Sequence, residues 1–244
     1  MKFANKINLT RTFLCLLICF SRIAFSQTSS GASDSSIVVK KTSDFEVDGK
    51  GSADNWNSTS WVLLPERTGT TPGYETQIKI LYSDSGIYCM FKSGDKKITS
   101  TLREDFLNIW TEDVVEVFFW PDEQATIYFE YELSPFNYEL PILVPNFKGD
   151  FLGWRPWHYE GTRRTRHGAH IQKNESGEPL YWIAEFYIPF ALLKPLQNVP
   201  AKKNTRWRAN FYRMDHDKGL SRWSWRVTRK NFHDYEKFGT IVFE

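Results

Sequence analysis

Trp110-Thr-Glu-Asp-Val-Val-Glu-Val-Phe-Phe-Trp120 joins an aromatic residue and clustered carboxylates to the start of a strongly patterned strand. From Asp113 onward, Val115, Val117 and Phe119 fall on one face of an extended chain, while Val114, Glu116 and Phe118 fall on the other. The first set suits a core. The second places the Glu116 carboxylate a few residues from Trp110, so that a hydrogen-bond acceptor stands beside a flat apolar surface. That pairing suits a ligand with both C–H faces and hydroxyls, such as a sugar ring.

The same period-two alternation recurs on either side of this stretch. In Ile127 to Leu133 the odd positions Ile127, Phe129, Tyr131 and Leu133 are set against Tyr128, Glu130 and Glu132, and from Tyr181 the matching apolar set is Trp182, Ala184, Phe186 and Ile188. Further strands are expected at Gln77 to Tyr82, Gly86 to Lys92, Arg206 to Met214 and Phe238 to Phe243, with others near Phe45-Glu-Val47 and Trp61 to Leu64. Tyr82-Ser-Asp-Ser-Gly86 and Trp120-Pro-Asp-Glu-Gln124 carry the turn residues of hairpins. Helical periodicity is nearly absent, and Phe190 to Lys194 has room for about one turn before Pro195. The expected fold is therefore all-β: an antiparallel sandwich whose two sheets cover each other's apolar faces, with only short helical turns. Pro141 to Gly161, with Trp154 and Trp157, reads as one long connection.

Residues 1–26 carry Lys2, Lys6 and Arg11, an apolar run from Phe13 to Phe20 and Ala24-Phe25-Ser26 as a small-x-small cleavage site. This reads as a secretory signal peptide. Its apolar run is far short of the roughly 20 residues that span a bilayer, so no membrane span is expected. Residues 27–40 read as a Ser/Gly-rich linker and 41–244 as the domain proper. The leader takes four basic residues and no acidic ones, leaving 27 basic (31 less 4) against 29 acidic, a net charge of −2. Near-neutrality argues against a nucleic-acid partner, and the run Arg163-Arg164-Thr-Arg166-His167 reads as a solvated loop. Cys89 alone remains after cleavage, so the domain is held by its core rather than by a disulfide.

The order of several motifs resembles the family-nine carbohydrate-binding modules, jelly-roll sandwiches related to DOMON-like domains. The motifs are Asp48-Gly49 with Asp54-Asn-Trp56, Ile87-Tyr88, Ile109 to Phe118, Trp182-Ile-Ala-Glu-Phe-Tyr-Ile-Pro-Phe190, Trp207-Arg-Ala-Asn-Phe-Tyr-Arg213, Trp223-Ser-Trp225 and Phe238-Gly239-Thr-Ile-Val. The resemblance implies a non-catalytic domain that holds a mono-, oligo- or polysaccharide between two tryptophans and serves separate glycoside hydrolases. The first tryptophan matches Trp110 and the acidic sugar-binding residue matches Glu116; the second tryptophan falls at Phe232, which keeps an aromatic face but loses the indole. Where the family places a sugar-bonding arginine on the next strand, this chain has Glu130, and Arg213 or Arg229 could compensate, with Tyr212 beside Arg213. The resemblance also implies structural calcium, for which Asp48, Asp95 and Asp113 are the first candidates, although no segment has EF-hand spacing.

Other patterns in the chain admit different readings. Trp154, Trp157 and Trp223 could extend a stacking platform or simply pin loops. His167 and His170 lack a third ligand for zinc. Glu112, Asp113 and Glu116 supply carboxylates for glycoside hydrolysis, but nothing marks one as a proton donor. The alternative from another class is a DOMON-like b-type haem electron-transfer domain, with Met90 or Met214 and a histidine such as His216 or His170 as axial ligands.

Overall fold

The computed structural model describes residues 36–68, 73–147, 150–157, 160–194 and 196–244. The expected leader and residues 27–35 of the expected linker lie outside the described residues. In chain order the strands are β1 (Ile37–Lys41), β2 (Val62–Leu64), β3 (Glu66–Thr68), β4 (Thr76–Tyr82), β5 (Gly86–Gly94), β6 (Val114–Trp120), β7 (Ile127–Leu133) and β8 (Glu139–Phe147). They continue with β9 (Asp150–Phe151), β10 (Arg155–Pro156), β11 (Arg166–Lys173), β12 (Pro179–Pro189), β13 (Arg206–Asp215), β14 (Ser221–Ser224) and β15 (Gly239–Phe243). Helical structure among the described residues is confined to short 3₁₀ turns, including Ile109–Thr111 and Tyr235–Lys237. No helix among them is long and apolar enough to cross a membrane.

One layer runs β10-β8-β7-β6-β13-β15 and the other β4-β5-β12-β11. β1 belongs to both, because Ile37 to Val39 pair with β15 and Lys40 and Lys41 pair with β4. Both pairings are parallel, so the sandwich is mixed at this seam although the named strands otherwise pair antiparallel. β1 also shows that the sheet begins inside the stretch expected to be linker, which therefore ends earlier than residue 40.

Alternation decides which side chains meet between the layers. Val115, Val117 and Phe119 of β6 and Phe129, Tyr131 and Leu133 of β7 share one core with Ile78, Cys89, Phe91, Trp182, Ala184, Phe186 and Ile188 from the opposite layer. At roughly 25 cal/mol per Å² of apolar surface, this interlayer burial is the main stabilising term. The even-numbered face of β6 is not solvated. Val114, Phe118, Tyr128, Leu140, Ile142 and Tyr212 form a second buried cluster beneath Phe106, Tyr235 and Phe238, residues brought over it by loops.

Three segments differ from expectation. The long connection expected from Pro141 holds most of β8, whose prolines obscure the pattern; Pro141 and Pro145 are tolerated because β8 lies near the sheet edge, where β9 and β10 pair with it over two residues each. The basic run ends in edge strand β11, where Arg166 lies 4.3 Å from the Tyr187 ring centroid and pairs with Glu46 at 3.2 Å. Phe45 to Val47, conversely, is not a strand.

Glu185 of β12 anchors the chain entering the domain. Its Oε2 accepts the amides of Asp48, Gly49 and Gly51 at 3.1, 2.8 and 3.2 Å, and its Oε1 accepts Trp56 Nε1 at 2.8 Å. Gly49 has φ +76°, and a Cβ there would come within 2.6 Å of the Gly168 backbone, so the turn requires glycine. Since Glu185→Ala strands four donors, it is expected to cost about 3 kcal/mol or more, measured as a lower urea midpoint with unchanged slope.

Candidate functional site

Antiparallel register between β6 and β7 sets Glu116 directly opposite Glu132 and Phe118 opposite Glu130. Because side chains alternate, all three glutamates emerge on the outer face. The loops that roof this face leave a cleft of about 700 Å³ over them. Glu116, Glu130 and Glu132 form its floor and Trp110, Phe232 and Trp154 contribute aromatic walls.

Trp110 stands in the 3₁₀ turn that leads into β6 and is 43% exposed. Phe232 comes from the turn before Tyr235–Lys237 and stacks on Tyr212, with centroids 4.0 Å apart and planes at 16°. Tyr212 is fully buried; it donates its hydroxyl to the Phe232 carbonyl at 2.8 Å and accepts from Asn210 Nδ2 at 2.7 Å. It therefore positions Phe232 from below rather than lining the cleft. The expected trio of Trp110, Phe232 and Glu116 thus shares one cleft, and Arg229 stands at its rim.

Arg213 does not reach it. One residue along β13 from Tyr212, its side chain points to the opposite face, between the layers, where Nη2 pairs with Asp95 at 3.1 Å and Asp215 at 2.7 Å. Nη1 donates to the Gly94 carbonyl at 2.6 Å, and the guanidinium lies 4.8 Å from the Trp223 ring centroid. Trp223 is likewise core, and Trp157 donates Nε1 to the Leu192 carbonyl, so of the three tryptophans weighed as platform only Trp154 lines the cleft. Glu112 binds the Thr101 and Leu102 amides and holds its loop.

Burial pushes all three floor carboxyls upward, and repulsion among them adds to the shift. Glu130 and Glu132 share a hydrogen bond, while Oε2 of each is buried without a partner. His233, which the sequence did not single out, lies beside them. Its ring stacks on Phe151 at 4.2 Å and on Phe118 at 5.4 Å, and Nδ1 is 2.6 Å from the Tyr128 hydroxyl. Burial lowers its pKa to about 4, so the imidazole is neutral near neutral pH.

The calcium candidates separate. Asp95 and Asp113 meet Asp215 at one end of the sandwich, with one oxygen of each within 4.8 Å of the others. Asp48 is elsewhere, accepting the Lys50 and Gly51 amides. Burial, then mutual repulsion, raises Asp95 to about 7 and Asp113 to about 8. Asp95 and Asp215 pair with the Arg213 guanidinium while Asp113 accepts the Thr99 and His216 amides, and this all-oxygen donor set fits a hard divalent cation. Of the haem candidates, Met214 and His216 line the cleft, while Met90 and His170 line a hollow on the other layer. Met214 and His216 are two residues apart and approach the cleft from one side, which is not how two axial ligands flank an iron.

The family model for carbohydrate family 9 binding domain-like proteins matches residues 47–244. The chain belongs to this family. Its fold is shared with a Bacteroides uniformis protein assigned as carbohydrate-binding, at 18% identity and TM-score 0.68 over 86% of this chain and 99% of that one. A family 9 module from Caldicellulosiruptor kristjanssonii, solved with cellotriose, superposes at TM-score 0.62 and 16% identity over 86% of this chain and 94% of that chain. A family 9 module of the same organism with glucose gives 0.61 and 16% over 86% and 96%. No curated protein sequence matches the chain.

The family 9 floor should make stability depend on pH. The folded chain holds protons that the unfolded chain releases near the ordinary glutamate value of about 4.3, so their contribution is fully present below that pH and is lost as pH rises towards the raised folded values. Glu132→Gln removes one such proton, and its Tm is expected to fall less than the parent's between about pH 5 and pH 8, by the equivalent of about 1 kcal/mol or more. Equal slopes in thermal melts of the two proteins would refute this.

Proposed function

We propose that this family 9 domain is an exported, non-catalytic module that holds a saccharide in the cleft between Trp110 and Phe232, with Glu116 accepting from its hydroxyls. The observation that carries this is the convergence of two aromatic side chains from separate loops and a strand carboxylate on one open cleft. The similar family 9 structures with cellotriose and glucose support the ligand class, and the leader-like first 26 residues support export. A binding role rather than hydrolysis is supported by the floor itself: its carboxyls all lie on one side of the cleft, whereas a glycosidase needs two that flank the scissile bond. Such a module would keep separate glycoside hydrolases close to polysaccharide.

Isothermal titration of the purified domain against neutral and charged saccharides tests this. Trp110→Ala and Phe232→Ala should each weaken binding about fivefold, as expected for the loss of about 1 kcal/mol of ring contact. No heat from any saccharide at millimolar concentration, or unchanged affinity in Trp110→Ala, would sink the proposal.

A calcium ion held by Asp95, Asp113 and Asp215 is the second element of the proposal; it would join the two layers where Asp95 follows β5 and Asp215 ends β13. At a calcium concentration about a hundred times its Kd, such an ion stabilises the fold by about 2.7 kcal/mol. Melts should then show a higher Tm with calcium than with chelator, and Asp113→Asn should abolish the difference. A Tm indifferent to calcium would remove this element alone.

A further inference from the structure

The cleft floor holds three buried carboxyls that no lysine or arginine among the described residues pairs with. Glu116, Glu130 and Glu132 are 2%, 3% and 1% exposed, yet the ion pairs of the described lysines and arginines go elsewhere. The nearest base, His233, lies 3.7 Å from Glu130 Oε2, but its Nδ1 is engaged by Tyr128 and it stays neutral. Of the cations at the walls, Arg67 donates to the carbonyls of Ser224 and Trp225, at 2.9 Å each, and Arg229 and Lys230 are exposed at the rim. Arg222 and His216, on the β13–β14 side, form no ion pair with the floor; His216 Nε2 is itself buried without a partner.

Two acceptors, Glu130 Oε2 and Glu132 Oε2, therefore sit buried and unpartnered on residues that line a cleft with aromatic walls. A neutral hexose can give each a hydroxyl, but it brings no charge. Buried acceptors of this kind gain most from a donor that is itself cationic, because charge-assisted hydrogen bonds are roughly twice as strong as neutral ones. A bare metal ion fits the aromatic walls and the cleft volume poorly; an organic ammonium on a ring fits both.

We propose that the cleft selects a saccharide unit bearing a protonated amine over a neutral hexose, and that the ammonium seats on Oε2 of Glu130 and Glu132. This rests on the preceding assignment of the cleft to a saccharide. Without ligand, the floor lowers its charge by holding protons. When the ammonium arrives with its own positive charge, a floor carboxyl gives up its proton to solvent and the resulting carboxylate accepts from the ammonium. Binding and proton release are therefore coupled.

Titration calorimetry with glucosamine, N-acetylglucosamine and glucose at about pH 6, below the roughly 7.7–8.0 of an α-amino group, separates the outcomes. Glucosamine should bind about tenfold or more tightly than the two neutral sugars, and repeating the titration in buffers of different ionisation enthalpy should reveal proton release for glucosamine only. Glu130→Gln and Glu132→Gln should each erase the preference, bringing glucosamine affinity down to that of glucose measured on the same variant. Glucose binding as tightly as glucosamine, or glucosamine binding without proton release, overturns the selectivity and leaves the saccharide site standing. Failure of all three sugars, with no heat from any other saccharide either, overturns both. The comparison of sugars on the parent chain needs no variant to fold.

Discussion

Every side chain of β6 from Val114 to Trp120 is buried, the odd ones against the second layer and the even ones beneath loops. A strand at a solvated sheet face would keep its even positions wet, and Glu116 would then be an unremarkable surface carboxylate. Here Leu102, Phe106 and Leu107 on one side and Phe232, Tyr235 and Phe238 on the other close over the face, so water is displaced from around three carboxyls. Removing an ion from water costs several kcal/mol unless it is paired or neutralised. The raised pKa values, the shared Glu130–Glu132 hydrogen bond and the partnerless oxygens all follow from that displacement.

The roof and the floor are physically linked through Tyr212. Its ring lies beneath Phe232 and its hydroxyl binds the Phe232 carbonyl, so the aromatic wall of the cleft is fixed to β13, the strand that pairs with β6 across Tyr212 and Glu116. Wall and floor are thus held by one pair of neighbouring strands. On the opposite face of the same strand, Arg213 closes an ionic cluster between the layers with Asp95 and Asp215. Consecutive residues serve the cleft and an interlayer tie because a strand directs them to opposite sides.

Much of the fold was legible where strands alternate. The sets led by Val115, Phe129 and Trp182 could be assigned to the core by counting in twos, and Trp110, Glu116 and Phe232 could be placed at one site by the motifs they belong to. β8 and β11 were not legible for opposite reasons: β8 is covered on both faces and carries two prolines, while β11 is a half-buried polar edge strand, so neither alternates. Arg213 lies away from the cleft because the motif around it identifies a strand, and strand parity sends Tyr212 and Arg213 to opposite faces.

The amino-acid sequence alone determined that this chain folds as a two-layered β structure and that aromatic and acidic residues gather around Trp110, since period-two alternation is a local property carried by adjacent residues. Only the tertiary structure decided that Glu130 and Glu132 join Glu116 on one buried floor, that Asp215 rather than Asp48 completes the cluster with Asp95 and Asp113, and that Met214 and His216 share a side. Those facts depend on cross-strand register and on which loop crosses which face. Register and loop path are set by the packing of residues distant in the chain, and no local pattern encodes them.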